Sequence, residues 1–82
     1  MLFSAKAEYA CLAMLELASR WGDPKPVRLA DVADKHDIPG RFLVQILLQL
    51  NGAGLVTSTR GAAGGYQLAK APNEISLGDI IW

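Results

Sequence analysis

The spacing of apolar residues changes at Gly52-Ala53-Gly54, and that change limits what this chain can fold into. Before it, Phe42, Leu43, Ile46, Leu47 and Leu50 recur at the spacing of one helix face, leaving Arg41, Val44, Gln45 and Leu48 on the opposite arc. After it, residues 55–60 are rich in Val and Thr and read as a strand. Gly61-Ala62-Ala63-Gly64-Gly65 reads as a turn, and residues 66–70 as a second strand. The two strands make a hairpin with glycines at its tip. The fold class expected is mainly α with a small β-hairpin.

Upstream, Ser4 reads as the N-cap of a first helix over residues 4–21. Tyr9, Ala10, Ala13, Met14, Leu17, Ala18 and Trp21 follow helical spacing, but Cys11, Leu12 and Leu15 are apolar on the other side. A helix apolar over most of its girth is buried on two faces. One face is expected to pack on this domain, the other on a further segment or a second subunit. Gly22-Asp23-Pro24-Lys25-Pro26 is a loop, residues 27–29 read as a short strand, and residues 31–36 as a second helix. Ile38-Pro39-Gly40 is a tight turn into a third helix over residues 40–51. Pro72 breaks the chain after the hairpin. Ser76 reads as the N-cap of a fourth helix with Leu77, Ile80, Ile81 and Trp82 apolar, cut short about two turns in.

Charge is informative by its distribution. The net charge is zero, yet residues 38–73 contain no Asp or Glu and carry Arg41, Arg60 and Lys70, so that segment is +3 and the remainder −3. A domain that meets phosphate with one face has this asymmetry; a chance gap in acidic residues has it too. Cys11 is the only cysteine, so no disulfide forms within the chain. A single thiol without a secretory signal fits a cytoplasmic location. No apolar run is long enough for a membrane span.

Two helices joined by a tight turn, the second with a polar stripe, then a hairpin: this is the order of a winged helix-turn-helix. A major groove admits one helix, whose outward side chains meet base edges. Arg41 would reach guanine or phosphate, Gln45 adenine, and Val44 and Leu48 the methyl of thymine. Gly61, Gly64 and Gly65 would let backbone approach the sugar–phosphate chain, and Arg60 would enter the minor groove or bond phosphate. Plainer readings stand beside these. The stripe could be a solvated face, the glycines hairpin geometry, and Arg60 a surface arginine; Lys70 reads as a solvated charge.

No catalytic constellation is present in the sequence. The glycine turn lacks the Lys-Ser/Thr of a phosphate loop and leads into a strand. His36 is the only histidine and reads as a helix-end or surface residue. The chain is therefore expected not to be an enzyme.

The residues Ser4-Ala5-Lys6-Ala7-Glu8-Tyr9-Ala10, Ile38-Pro39, Phe42-Leu43-Val44-Gln45-Ile46-Leu47 and Ala53-Gly54-Leu55-Val56 resemble the Rrf2 family of regulators. Arg60-Gly61-Ala62-Ala63-Gly64-Gly65-Tyr66 and Ile75-Ser76-Leu77-Gly78-Asp79-Ile80-Ile81 continue the likeness. The resemblance implies a dimeric bacterial regulator, typically a repressor, bound to double-stranded DNA at pseudo-palindromic operators. It implies a domain over residues 1–75, with residues 76–82 opening a truncated C-terminal dimerisation helix. It places DNA contacts at Arg41, Val44, Gln45 and Arg60. Many members hold an iron–sulfur cluster on three cysteines in the C-terminal region. Those cysteines are absent here, so no cofactor is expected in this chain and a cluster only in a longer form. In a few members a carboxylate at the position of Glu8 completes the cluster. Two departures matter. Val44 replaces an acidic base-reading residue of some relatives, and Gln49-Leu50-Asn51-Gly52 replaces a helix end often rich in Arg and Lys. The rival readings are a winged helix used for protein–protein contact and a DNA-binding fragment of a redox sensor.

Overall fold

The computed structural model describes residues 4–80. The order is α1 (Ala5–Ser19), α2 (Leu29–His36), α3 (Gly40–Gly52), β1 (Val56–Thr59), β2 (Gly65–Leu68), a 3-10 turn (Pro72–Glu74) and α4 (Leu77–Ile80).

Ser4 starts α1 as expected: its Oγ accepts from the Ala7 amide at 3.2 Å. The helix ends at Ser19, ahead of Gly22 and the two prolines, so Trp21 leaves the helical face and is half exposed. Ala10, Ala13, Met14 and Leu17 face the core. Leu15 stays exposed, while Cys11 and Leu12 are half-buried, so the second apolar face does exist.

The strand expected at residues 27–29 does not form. Only Val27 pairs, as an isolated antiparallel bridge to Tyr66, and Leu29 is already the first residue of α2. The helix therefore begins two residues earlier than its sequence pattern suggested, because Leu29 packs against the core beside Val32. α2 ends on Asp37, which takes the left-handed conformation (φ 53°), and the Ile38 amide reaches back to the Ala33 carbonyl at 2.9 Å. This closes α2 and turns the chain into α3 within three residues, Asp37, Ile38 and Pro39.

In α3, Leu43, Ile46, Leu47 and Leu50 are buried. Phe42 is the exception to the inward set, at 45% exposed. At 3.6 residues per turn it falls about 40° beyond Ile46, at the margin of the apolar arc. The helix ends where the glycines predicted, but Gly52 is still helical and Gly54 is the residue that turns (φ 79°). The Gly54 amide donates to the Asn51 carbonyl and Leu55 to that of Leu50, both at 3.0 Å. The second bond returns Leu55 to the core beside Leu50.

The hairpin is antiparallel, with Val56 opposite Leu68 and Thr59 opposite Gly65. Its strands are shorter than the pattern implied, and Gly65 lies inside β2 rather than in the turn. Val56 and Leu68 are buried, which anchors the base of the hairpin to the helices while its tip stands free of the core. Ser76 caps α4: its Oγ accepts from the Asp79 amide at 3.2 Å, and Asp79 Oδ2 accepts from the Ser76 amide at 2.9 Å. Ile81 and Trp82 lie outside the described residues.

Candidate nucleic-acid interface

The core-facing residues of α3 fix which side chains point away. Arg41, Val44, Gln45 and Leu48 are all exposed, Val44 and Leu48 at 39% and 62%. The Arg41 guanidinium lies 5.1 Å from the centroid of the Phe42 ring, which steadies it at the helix start. No side chain caps the N-terminus of α3 and no acid lies in its first turn. An N-terminus with no side-chain cap and a nearby arginine there favour an anion.

Two grooves flank this stripe. One lies toward the start of α1, lined by Lys6, Tyr9, Phe42, Gln45 and Gln49, with a volume of about 350 Å³. The other lies between α3 and the hairpin, where Leu48 faces Ser58, Thr59, Arg60 and Gly61 with Arg28 and Leu29. No carboxylate lines the second groove. Among the described residues, no carboxylate pairs with Arg41 or Arg60. The structure thus brings Leu48 and the wing residues to one groove, while Gln45 borders the other.

The three wing glycines differ in their surroundings. Gly61 is exposed at the tip with φ 104°, in a region closed to most side chains. Gly64 and Gly65 are half-buried against the chain's own backbone. A Cβ on Gly64 would collide with the Thr59 carbonyl oxygen, and one on Gly65 with that of Val27. Their close approach is therefore first to the protein itself.

The sequence pattern missed Phe42 as an exposed residue and Arg28, Lys6 and Tyr9 as groove-lining ones. It also missed Glu16, a buried carboxylate on α1 that gathers Arg20, Lys35 and His36. His36 is thus a structural partner at the end of α2.

Comparison with known proteins agrees with this geometry. Residues 3–82 match the model of the Rrf2 family, described as iron-dependent transcriptional regulators. This chain belongs to the Rrf2 family. It is 41% identical over 81 residues to the HTH-type transcriptional regulator CymR of Bacillus subtilis, covering 99% of this chain and 58% of that protein. The identity is also 41% to the HTH-type transcriptional regulator IscR of Aliivibrio salmonicida, covering 99% and 48%. The solved structure of CymR, the global cysteine regulator of B. subtilis, superposes with a TM-score of 0.90 at 39% identity, covering 98% of this chain and 61% of that one. The structure of T. potens IscR gives 0.89 at 41% identity, covering 98% and 58%. The fold is a winged helix-turn-helix: α2 and α3 form the helix-turn-helix, and β1 and β2 the wing. The relatives matched are transcriptional regulators and not enzymes, as expected from the sequence. The chain spans about half the length of the curated relatives it matches.

The family's iron dependence can be tested against these residues. Among those described, no group of three or more His, Cys, Asp or Glu side chains lies together in a way that could hold a metal ion. Cys11 is a lone, half-buried thiol on α1, and Glu8 on the same helix has no cysteine set to complete. The residues present do not fit an iron–sulfur cluster.

Proposed function

We propose that this chain is the DNA-reading domain of a transcriptional repressor that binds a pseudo-palindromic operator as a homodimer. The observation that carries the reading is the acid-free groove between α3 and the wing, bordered by Leu48 on one side and Arg60 on the other. A helix seated in the major groove with a wing over the adjacent minor groove leaves one sugar–phosphate strand to pass between them. A positively charged crevice with hydroxyls from Ser58 and Thr59 suits that strand. On this reading Arg41 and Gln45 meet base edges or phosphate, Val44 and Leu48 touch thymine methyls, and Gly61, Gly64 and Gly65 bring the wing close to the backbone.

Dimerisation rests on the family resemblance and on the unpartnered apolar side of α1. Cys11, Leu15 and Ala18 border an apolar groove there with Leu77 and Ile80 of α4. The resemblance implies a dimerisation helix C-terminal to this domain, and this groove is where we place it. No helix among the described residues is long and apolar enough to cross a membrane, and a repressor works in the cytoplasm.

Selection from a pool of random duplexes, run on the dimeric protein at two salt concentrations, tests the proposal. An enriched palindrome, weakened by salt and by Arg60→Ala, is the expected result. If Arg60 contacts one phosphate, its loss lowers the slope of log affinity against log salt by about 0.9. No enrichment from a folded dimer, even at low salt, would favour protein–protein contact through the exposed Phe42, Val44 and Leu48.

A further inference from the structure

Arg28 occupies the N-cap position of α2, yet its side chain does not cap that helix. Its Nη2 instead donates to the Ala62 carbonyl oxygen at 2.7 Å, 34 positions along the chain, at the tip of the wing. One residue earlier, the Val27 amide donates to the Tyr66 carbonyl and the Tyr66 amide to the Val27 carbonyl, both at 2.8 Å. The same two-residue segment therefore holds the wing twice, at β2 through Val27 and at the tip through Arg28. Within the tip, the bond from the Gly64 amide to the Gly61 carbonyl is local and orients nothing outside it. A two-stranded hairpin this short is marginal alone, so the direction of its tip depends on what it touches.

That direction matters because Arg60, at the neck of the tip, and Leu48, on α3, border one groove with Arg28. A hydrogen bond from a charged donor is stronger than a neutral one. It spans from the first helix of the helix-turn-helix to the wing, so it fixes the two reading elements relative to each other. A wing held in place before binding loses less freedom on contact with a ligand.

We propose that Arg28 is a positioning residue for the wing, holding Arg60 at a set distance from the reading stripe of α3. The proposal rests on the DNA-reading function argued above. Arg28 acts through Arg60 and does not itself touch a base.

The test is a double-substitution cycle of Arg28→Ala and Arg60→Ala on the selected duplex at two salt concentrations, with Arg28→Lys alongside. Hydrogen exchange of the wing-tip amides is followed without DNA. Arg28→Ala is expected to weaken binding about 5- to 10-fold, but by less than about 2-fold once Arg60 is gone. Arg28→Lys, which can still donate one bond to Ala62, recovers part of the loss. The Gly64 amide, bonded to the Gly61 carbonyl, exchanges faster in Arg28→Ala, while those of Leu43 and Leu47 do not change. Additive losses with the salt slope lowered by about 0.9 in the Arg60→Ala background would overturn the proposal and make Arg28 a phosphate ligand. Unchanged exchange at the tip would overturn it independently. If the wild-type chain binds no duplex at all, the DNA-reading function fails, and the exchange measurement still decides whether Arg28 holds the wing.

Discussion

Lys35 Nζ on α2 donates to Glu16 Oε1 on α1 across 3.0 Å, tying the first helix of the helix-turn-helix to the helix behind it. His36 Nε2 meets the same oxygen at 3.1 Å, and Arg20 Nε lies 3.4 Å from Oε2. The hydrogen bond from Lys35 does most to hold the Glu16 carboxyl below the ordinary glutamate range; burial pushes the other way, and His36 and Arg20 add to the lowering.

The energetic worth of this cluster follows from its exposure. Glu16 is 4% exposed, but Lys35 is 63% and Arg20 48% exposed, so water screens both partners. Glu16→Gln is expected to cost about 1 kcal/mol at neutral pH, nearer a surface pair than a buried one. Because the folded pKa lies below the unfolded one, the contribution is complete above the unfolded value and fades as pH falls through the folded one. Denaturant midpoints at neutral pH and at about pH 3 check this. Wild type should lose more stability on acidification than Glu16→Gln. Equal losses would place the acid sensitivity elsewhere.

A methyl group at Gly65 has no space to enter. The atom it would strike is the Val27 carbonyl oxygen, which accepts the Tyr66 amide in the bridge beneath the wing. Backbone on both sides cannot rotate away as a flexible side chain could. Gly65→Ala is expected to cost about 1–3 kcal/mol, with amide exchange rising first at Val27 and Tyr66. A variant whose melting point and exchange match wild type would mean that the wing tolerates separation from the Val27 segment.

The fold was legible in sequence where one signal acted locally. Leu43, Ile46, Leu47 and Leu50 mark one face of α3, and Gly54 supplies the left-handed turn that ends it. The hairpin was legible from glycines between Val- and Thr-rich segments. What escaped depends on contacts between distant residues. Arg28 reaches Ala62 across 34 positions, and Glu16 finds His36 across 20, so no local spacing announces either. A carboxylate between Leu15 and Leu17 gives no hint that it is buried. Residues 27–29 read as a strand although Leu29 also fits the inner side of the second helix with Val32 and Ala33, and in the fold Leu29 packs on the core as the first residue of α2. Of the candidate site, the exposure of Arg41, Val44, Gln45 and Leu48 on α3 was visible in the sequence, while that of Phe42 beside them was not. Nor were the grooves on either side, since each joins elements far apart in the chain.

Leu43 and Leu48 share α3 but face opposite ways, and that contrast separates folding from reading. Leu43 is fully buried and Leu48 is 62% exposed. Leu43→Ala leaves a cavity in the core cluster to which Leu17, Leu47 and Leu50 also belong, and is expected to cost about 2–5 kcal/mol. In a domain of this size that is a large share of the whole stability. Leu48→Ala removes a side chain already in water and should change stability by no more than about 0.5 kcal/mol. On the proposed DNA-reading function its effect belongs to binding: loss of the thymine-methyl contact proposed for Leu48 should weaken the selected duplex and relax the preference at one base position, at about 1–3 kcal/mol. Thermal melts of both variants, followed by titration of the folded one against duplexes altered at single positions, distinguish the two roles. A destabilised Leu48→Ala with unchanged base preference would return Leu48 to the scaffold and leave Arg41, Val44 and Gln45 as the reading face.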